Sequence, residues 1–535
     1  MNTIVTTGKR IVLPLLLIIL AIASCTKDED DTTTLPRLFR PGAIKITTAD
    51  TQVKLEWNAS LFTTPKAVKY TVEVYKDPAF TGTPDFTGVT DTSGLVITDA
   101  KLSIKQKYYA RVKANATDVS AESAWVASAD FTIPGIQLFS AVLASEIIDG
   151  AAILRWKVTP GITRLVLTPQ PGTAKDIALV AADIAAGRKL VDNLVPNTTY
   201  IAELFIGTKT QGTVTFKTKV STISGNIVDL RAITNRPNVL ADTLPKIPSG
   251  STVILKRGLT YNIPVAQNLD RTVVIQSGDD LLTPTMATIS MVSNFNISAS
   301  SSIDSIVFRN VTLRSDGYAS KYVFNVSNAC TVGKLSFQSC NAAVFRGIVR
   351  LQTAVINMTD FVVNNCIVDS LSNYGLITVD NVNCKVNNFV LTNSTFYKCE
   401  KIITSRQNAV TVNIANCTFN ETPWGNGANY LVDFSTSGTN NVTGGIKISN
   451  SIMGPGWLNA GSTVVRGLRY GTAVVDVTGT YNTSDYSATA NTIPNMTLYN
   501  KLSTELFTDP ANGNFKIKDT AFPGKSSTGD PRWRL

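Results

Sequence analysis

A short pattern of alternating apolar and polar residues, ending in asparagine or serine, recurs through the second half of the chain. Examples are IVFRNVTL, FVVNNCIV, FVLTNSTF and VNIANCTF, which begin at residues 306, 361, 389 and 412. Alternation with a period of two predicts half-buried β-strands. The position that ends the strand is occupied by Asn310, Ser339, Asn365, Asn393, Asn416 and Asn450. The unequal steps between these positions favour a parallel β-helix, whose strands are regular while its connecting loops differ in length.

The residue that follows the asparagine position is small or a thiol. It reads Val311, Cys340, Cys366, Ser394, Cys417 and Ser451. Because equivalent residues of successive coils lie about 4.8 Å apart, we predict that these residues form one buried column. Three cysteines are then explained by packing rather than by disulfides or a metal site. Asparagine tolerates the left-handed conformation of a tight corner, and stacked amides can hydrogen-bond along the helix axis.

A second strand follows in each repeat, most clearly in GIVRLQ, GLITVD, KIITSR and YLVDFS, which begin at residues 347, 375, 401 and 430. The side chains predicted to point inward are Val349, Leu351, Ile377, Val379, Ile403, Ser405, Val432 and Phe434. A first outward column holds Arg350, Thr378, Thr404 and Asp433, and a second holds Gln352, Asp380, Arg406, Ser435 and Arg469. Earlier coils are predicted at 251–258 and 272–278. Residues 507–535 are predicted to cap the open end of the helix through Phe515, Ile517, Phe522 and Trp533.

Two shorter regions, 42–133 and 136–219, show strand alternation with turn signals between the strands. In the first region, Trp57 and the run YYARVKA at 108–114 resemble the fibronectin type III pattern. In the second, Trp156 and LVPNTTY at 194–200 resemble the same family, although Glu203 stands where an arginine is usual. Such modules are most often spacers. A carbohydrate-binding sandwich is the alternative, and its candidate aromatic residues are Phe80, Phe86 and Trp125.

The N-terminal segment has the pattern of a lipoprotein signal peptide. Lys9 and Arg10 precede an apolar stretch, 11–22, that is too short for a lasting membrane span. The Ile-Ala-Ser-Cys that ends at Cys25 resembles a bacterial lipobox, with residues 1–24 removed and Cys25 acylated. A plain signal peptide with an incidental cysteine is the alternative. Residues 25–41 form an acidic tether, similar to the export tag of surface lipoproteins. We therefore expect an outer-membrane protein, anchored by lipid at Cys25 and facing the cell exterior.

The composition narrows the possible chemistry. The chain of 535 residues contains no histidine, which excludes a histidine general base, a Ser-His-Asp triad and an imidazole metal site. Its formal charge of +10, with 16% charged residues, mildly favours an acidic partner. No basic cluster is interleaved with aromatic residues, so nucleic acid is not a predicted partner.

Residues 220–535 resemble the pectate-lyase-like superfamily, a right-handed single-stranded parallel β-helix. The closing GDPRW at 529–533 gives a closer similarity to β-helix domains of uncharacterised function in surface lipoproteins of polysaccharide-utilisation systems. The resemblance implies that an acidic, pectin-like polysaccharide lies along one parallel sheet, and that other glycan-uptake surface proteins are partners. It also implies lyase chemistry, in which Arg or Lys removes a C5 proton while carboxylate-bound Ca²⁺ neutralises the uronate. The predicted fold class is all-β, with two fibronectin type III-like sandwiches followed by this β-helix.

The outward columns and nearby loops supply the candidate ligand-binding residues, which are Arg350, Asp380, Arg406, Asp433, Arg469, Tyr374 and Trp424. One hypothesis is a surface protein that binds an acidic polysaccharide. A second is a Ca²⁺-dependent polysaccharide lyase, in which Asp380 holds the cation and Arg406 acts near it. A third is a structural or adhesive protein. An ion-pair ladder explains the same charges without a ligand. A polygalacturonase-type hydrolase is disfavoured, because no tight pair of carboxylates aligns.

Overall fold

The computed structural model describes residues 35–63, 68–221, 223, 225–427, 429–434 and 440–535. The predicted signal peptide, Cys25 and the first part of the tether lie outside these residues, as does Ser435 of the second outward column. No helix among the described residues is long and apolar enough to cross a membrane. The described part of the chain is mostly β-structure, which confirms the predicted all-β class. The predicted domain boundaries stay predictions.

The first sandwich has seven strands in antiparallel sheets of three and four strands. The strands are Lys45–Ala49, Gln52–Glu56, Tyr70–Tyr75, Phe86–Thr90, Gly94–Thr98, Lys107–Ala114 and Val126–Thr132. The core forms around Trp57, whose ring centroid lies 5.5 Å from that of Tyr70. The Tyr108 hydroxyl accepts a hydrogen bond from the Ser103 backbone N–H at 3.1 Å, which ties the strand to the loop before it.

The second sandwich has sheets of four and two strands and one short helix, Ala181–Ala186. The strands are Ala152–Arg155, Arg164–Gln170, Lys175–Ile177, Arg188–Val191, Thr199–Ile206 and Lys209–Lys217. Trp156 is buried and meets Phe139 edge to face at 6.4 Å. Tyr200 stacks on Phe216 at 5.6 Å. Both sandwiches therefore have the fibronectin type III-like form that the sequence predicted.

The β-helix is built from two long parallel sheets that share one apolar core. The ten-stranded sheet contains Asn226–Asp229, Ser251–Leu255, Val273–Ser277, Ser302–Arg309, Cys330–Gln338, Ile356–Asn364, Cys384–Thr392, Thr411–Ala415, Ile446–Ser449 and Val475–Thr478. The seventeen-stranded sheet contains Thr260–Asn262, Gln267–Leu269, Ala287–Ser290, Phe295–Ile297, Val311–Arg314, Tyr322–Val326, Asn341–Leu351, Ile367–Val379, Thr395–Cys399, Ile403–Ser405, Thr418–Asn420, Tyr430–Asp433, Ile452–Met453, Val465–Arg469, Tyr481–Thr483, Ala488–Ala490 and Thr497–Tyr499. The helix Val239–Thr243 adds Leu240 to the core. The chain thus winds through successive coils, which confirms the predicted parallel β-helix.

The asparagine position turns the chain from the ten-stranded sheet into the seventeen-stranded sheet. All six predicted residues have a positive φ, between 47° and 56°, and they are Asn310, Ser339, Asn365, Asn393, Asn416 and Asn450. This conformation is uncommon for residues other than glycine, and asparagine adopts it more readily than most. Asn365 also donates its amide to the Ser339 hydroxyl at 2.8 Å, one coil away. The predicted asparagine column is therefore confirmed.

The thiol column is buried and continuous, as predicted. The Cys340 backbone N–H donates to the Cys366 sulfur at 3.3 Å, and the Cys366 N–H donates to the Ser394 hydroxyl at 3.0 Å. The Cys417 N–H donates to the Ser451 hydroxyl at 3.1 Å. The six cysteines of the described residues are all free and buried. Packing explains Cys340, Cys366 and Cys417, as the repeat indicated, and the other three cysteines are buried as well.

A second column of positive φ lies five residues further along each of four successive coils. It contains Val344, Ser370, Lys398 and Glu421, with φ between 47° and 67°. These residues bend the wide sheet, so that each coil crosses it in two short stretches. No residue type recurs in this column, and the sequence pattern therefore did not predict it.

The C-terminal residues cover a side of the helix rather than its open end, so the predicted end cap is wrong. They form the helix Ser503–Leu506 and the antiparallel strands Phe507–Asp509 and Asn514–Ile517. The tail cluster consists of Ile452, Leu506, Phe507, Phe515, Ile517 and Phe522, with Tyr397, Tyr481, Tyr499 and Trp533 beside it. The outer face of the Ile452–Met453 region carries apolar side chains that need this cover. At the last coil, Tyr486, Ile493 and Met496 pack against the core instead.

Candidate ligand-binding surface

The strand register joins the first outward column into one line across five coils. Arg350 pairs with Thr378, and Thr378 pairs with Thr404. Thr404 pairs with Asp433, and Asp433 pairs with Arg469. The predicted register of the first column is therefore confirmed, although Thr378, Thr404 and Asp433 are buried in the fold. The placement of Arg469 in the second column is wrong. Its repeat, at 464–470, has no clear alternation, so the sequence could not fix its register.

In the second column, Asp380 lies between two arginines from neighbouring coils. It accepts hydrogen bonds from Arg350, at 2.7 Å from Nη2 and 3.1 Å from Nε, and it lies 3.8 Å from Arg406 Nη2. The Arg406 side chain is 52% exposed, against 20% for Asp380. Burial is the largest influence on Arg350 and disfavours its charged form. The hydrogen bonds to Asp380, together with the electrostatic attraction of Asp380 and of the nearby tyrosines, outweigh burial and hold the pKa of Arg350 above its ordinary value. The arrangement is an ion-pair ladder with one exposed end.

Tyr374 is held between two guanidinium groups of the preceding coil. Its ring centroid lies 4.5 Å from the Arg350 guanidinium carbon and 4.6 Å from that of Arg346. Arg346 also donates its Nε–H to the Asn373 side-chain oxygen at 3.1 Å. Contacts of this length between a guanidinium and a ring face are attractive, so the tyrosine fixes both arginines. The sequence did not single out Arg346, because it precedes the clear alternation of GIVRLQ.

A matching arrangement lies further along the same surface. Arg469 donates its Nε–H to Asp433 at 2.7 Å, and this hydrogen bond raises the pKa of Arg469. The Tyr430 ring centroid lies 4.3 Å from the Arg469 guanidinium and 5.3 Å from that of Arg466. Arg466 donates Nη1–H to the Tyr430 hydroxyl at 3.1 Å. Asp433 and Arg469 were predicted site residues, whereas Arg466 was not.

Lys401 lies between these two arrangements. It packs against Gly375 of the preceding coil, where an added side chain would collide with it. Tyr430 holds the same position one coil further on, since both residues come two places before the paired Ile403 and Val432. Lys401 is half-buried, and burial lowers its pKa even though Asp433 and other carboxylates lie nearby. Sequence reasoning missed it, although a lysine that opens a buried strand is a visible signal. We call the whole set the arginine surface, which comprises Arg346, Arg350, Tyr374, Asp380, Lys401, Arg406, Tyr430, Asp433, Arg466 and Arg469.

Trp424, the remaining candidate, belongs to a separate aromatic cluster. Its ring centroid lies 6.3 Å from that of Trp457, which in turn meets Tyr318 at 6.3 Å. Beneath this cluster, the Glu400 carboxylate accepts hydrogen bonds from the Tyr318 hydroxyl at 2.9 Å and the Ser372 hydroxyl at 3.0 Å. Glu400 is 3% exposed, and burial raises its pKa above the ordinary value. Trp424 therefore packs with other aromatic residues over a buried carboxyl group.

The aromatic residues of the first sandwich are also engaged in packing. The Arg111 guanidinium lies 4.4 Å from the Trp125 ring and 5.4 Å from the Phe80 ring, and it pairs with Glu73 at 2.7 Å. Phe86 packs against the sandwich core. These rings surround an arginine, so their faces do not form the open platform that a sugar would need.

Within the ranges that the structure describes, no three His, Cys, Asp or Glu residues lie close enough together to hold a metal ion. Asp380 and Asp433 each bind an arginine rather than each other. A Ca²⁺ site prefers six or more oxygen ligands, several of them carboxylates. These two carboxylates do not form such a set, so the residues present do not fit the Ca²⁺ site that the lyase hypothesis requires.

Two domain families of unknown function match parts of the β-helix. The DUF4957 model matches residues 259–399, and the DUF5123 model matches residues 412–533. No curated protein matches the chain. Neither family supplies an activity that could be compared with the arginine surface.

The first third of the chain is similar to solved fibronectin type III structures. A two-domain fibronectin type III segment of chicken tenascin is 14% identical, over 34% of this chain and 99% of that chain, with a TM-score of 0.18. The FN1–FN3 domains of chicken CNTN1 are 12% identical, over 35% of this chain and 69% of that chain, with a TM-score of 0.16. Such low scores carry no argument, and the sandwich form rests on the strand pairings given above.

Proposed function

We propose that the protein is a cell-surface lipoprotein that binds an acidic, pectin-like polysaccharide through the arginine surface of its β-helix. The observation that carries this proposal is the excess of cations there. The cations are Arg346, Arg350, Lys401, Arg406, Arg466 and Arg469, against the carboxylates of Asp380 and Asp433. A guanidinium fork pairs with a carboxylate through two parallel hydrogen bonds. A uronate chain presents carboxylates and hydroxyls in a regular series, which suits such a surface.

The anchoring part of the proposal rests on the lipobox that ends at Cys25. Acylation there would tether the protein to the outer membrane and place the β-helix outside the cell, near other glycan-uptake proteins. Labelling of growing cells with a fatty acid tests it. Label should enter the wild-type protein and be absent from Cys25→Ala, whereas equal label in both would contradict the anchor.

The binding part is tested by migration in gels loaded with polygalacturonate. Arg350→Ala with Arg406→Ala should weaken retardation about tenfold, because two positive charges of the arginine surface are lost. Arg406→Ala alone is the milder variant. It removes the exposed arginine of the ladder and leaves Asp380 paired with Arg350. Lys385→Ala with Lys447→Ala removes equal charge from the ten-stranded sheet and should change little. Unchanged retardation of both arginine variants would show that the arginine surface is not the binding site.

A second function, β-elimination, is favoured by one observation, the lowered pKa of Lys401. An amine closer to neutrality is a better general base than a guanidinium, which stays protonated. Lys401 therefore replaces Arg406 as the candidate base. It would take the C5 proton, the electron pair would form the C4–C5 double bond, and the departing O4 would take a proton from water.

Ultraviolet absorbance of the unsaturated uronate product tests this second function on a panel of uronate polymers, with and without Ca²⁺. Product that disappears in Lys401→Gln would make the protein a lyase. Retardation without product would leave a binding protein. Neither product nor retardation would favour the structural or adhesive hypothesis.

A further inference from the structure

Two units of the same composition lie on the arginine surface. The first clamp is Tyr374 with Arg346 and Arg350, at 4.6 Å and 4.5 Å from its ring. The second clamp is Tyr430 with Arg466 and Arg469, at 5.3 Å and 4.3 Å from its ring. Each clamp also holds one aspartate, Asp380 or Asp433, through its more C-terminal arginine.

The order of residue types along the helix axis is mirrored about the coil that carries Lys401. In each clamp both arginines come from one coil, and the tyrosine comes from the adjacent coil nearer to Lys401. The order along the helix axis is therefore arginine pair, tyrosine, lysine, tyrosine, arginine pair. Arg350 and Arg469 are four strand steps apart in the register, which corresponds to about 19 Å.

Within each clamp, the two arginines differ in their hydrogen-bond partners. Arg350 and Arg469 direct two N–H donors each at an aspartate, so most of their binding capacity is used inside the protein. Among the described residues, the Arg346 side chain donates one hydrogen bond, to Asn373, and the Arg466 side chain donates one, to the Tyr430 hydroxyl. The Nε of Arg466 has no hydrogen-bond partner among the described residues, but it is buried, so only the Nη atoms of Arg466 can reach a ligand. Arg346 and Arg466 are thus held in place by ring contacts while most of their donors remain uncommitted.

We propose that the two clamps bind two separate carboxylates of one linear polyuronate, with Arg346 and Arg466 as the contacting residues and Lys401 between them. This inference rests on the proposed function and adds a length requirement. A chain long enough to reach both clamps gains affinity because the second contact forms within an existing complex. A short uronate that reaches one clamp binds weakly.

Titration calorimetry of the intact protein with oligogalacturonates of two to eight residues tests the length requirement. Affinity should rise by about tenfold or more at the length that reaches both clamps. Arg346→Gln and Arg466→Gln should each remove that rise, because each variant leaves only one intact clamp. Glutamine keeps a polar side chain at each site, and melting curves check that both variants fold. Lys447→Gln, on the ten-stranded sheet, is the matched control.

The outcomes separate the two proposals. Binding that is equally tight for short and long oligomers overturns the paired clamps and leaves polysaccharide binding intact. A length-dependent rise that survives both glutamine variants also overturns the paired clamps. Binding by neither short nor long uronates overturns the proposed function as well.

Discussion

Each inward side chain of the β-helix stands directly above and below its equivalents in the neighbouring coils. In the thiol column, a backbone N–H of one coil donates to the side chain of the next, as Cys340 does to Cys366 and Cys366 does to Ser394. Sulfur and hydroxyl oxygen both accept this bond, so cysteine and serine share the column. Burial raises the pKa of Cys366, which keeps the thiol protonated. These cysteines are therefore packing residues rather than reactive ones.

Cys366→Asp tests the thiol column. Cys366 is 1% exposed, so an aspartate there would bury a charge with no ionic partner and cost about 3–5 kcal/mol in the free energy of unfolding. Denaturant unfolding measures the change. The matched control is Cys366→Ser, which copies the residue found at Ser394 and should cost about 1 kcal/mol or less. An aspartate variant with an unchanged unfolding curve would contradict the column.

Glu400 predicts a pH dependence of stability. Burial raises its pKa in the folded protein, so the folded state holds this proton to a higher pH than the unfolded chain does. Stability is then greatest below the ordinary pKa of glutamate and falls as the pH rises towards the raised value. Asp369, Glu421 and Asp530 shift in the same direction and add to the trend.

Comparison with Glu400→Gln isolates this contribution. Glutamine keeps the shape and does not titrate, so the variant should gain stability relative to the wild type as the pH rises from about 4 to 8. Denaturant unfolding across that range measures the difference. A difference that is constant with pH, or that changes in the opposite sense, would show that folding does not raise the pKa of Glu400.

At the scale of strands and turns, two columns of left-handed residues shape the coils, and the second column is present in four of them. The first, at the asparagine position, joins the two sheets. The second, at Val344, Ser370, Lys398 and Glu421, divides the wide sheet. Val344 is β-branched and has a φ of 67°, a conformation that such residues rarely adopt. Stacking on the neighbouring coils is what holds it there, since no local preference favours this conformation.

Asn310 tests the first of these columns. It has a φ of 51°, so Asn310→Val should destabilise the β-helix by about 1–2 kcal/mol, because the branched side chain clashes with its own backbone in this conformation. Asn310→Gly removes the same amide and has no such clash, and it should cost much less. Thermal unfolding of the two variants measures the difference. Equal losses of stability in the two variants would mean that the missing Asn310 amide, rather than backbone strain, causes the destabilisation.

At the scale of the whole β-helix, the C-terminal residues form hydrogen bonds to several successive coils. Arg532 donates to the Asn365 backbone oxygen at 2.7 Å, and Arg534 donates to the Asn416 side-chain oxygen at 2.9 Å. Trp533 donates its indole N–H to the Thr395 hydroxyl at 2.8 Å. The GDPRW run and the following Arg534 thus bind at and beside the corners of the asparagine column. This gives the motif a structural reason that is independent of any ligand.

Trp533→Ala should weaken the attachment of the C-terminal tail to the coils. The loss of ring packing and of one hydrogen bond should cost about 2 kcal/mol and lower the melting temperature of the β-helix by a few degrees. Differential scanning calorimetry measures the shift. Trp57→Ala, in the core of the first sandwich, is the control and should affect the transition of that sandwich instead. An unchanged melting temperature of the β-helix in Trp533→Ala would contradict this role of the C-terminal tail.

Part of the candidate site could be predicted from the sequence and part could not. Alternation placed Arg350, Asp380, Arg406 and Asp433 on the outer face, because neighbouring residues of a strand point to opposite sides. It could not find Arg346 or Arg466, whose importance comes from contact with tyrosines of adjacent coils. Lys401 was missed for the same reason, since burial by neighbouring coils, not local sequence, lowers its pKa.

The sequence by itself determined the all-β class, the coil repeat, the asparagine corners and the thiol column. These features depend on residues that are close in the chain or that recur at equivalent positions, so a local pattern records them. Only the tertiary structure decided the second left-handed column, the position of the C-terminal tail, the column of Arg469 and the mirrored clamps. Each of these depends on contacts between coils that are far apart in sequence, and loops of unequal length conceal which residues meet.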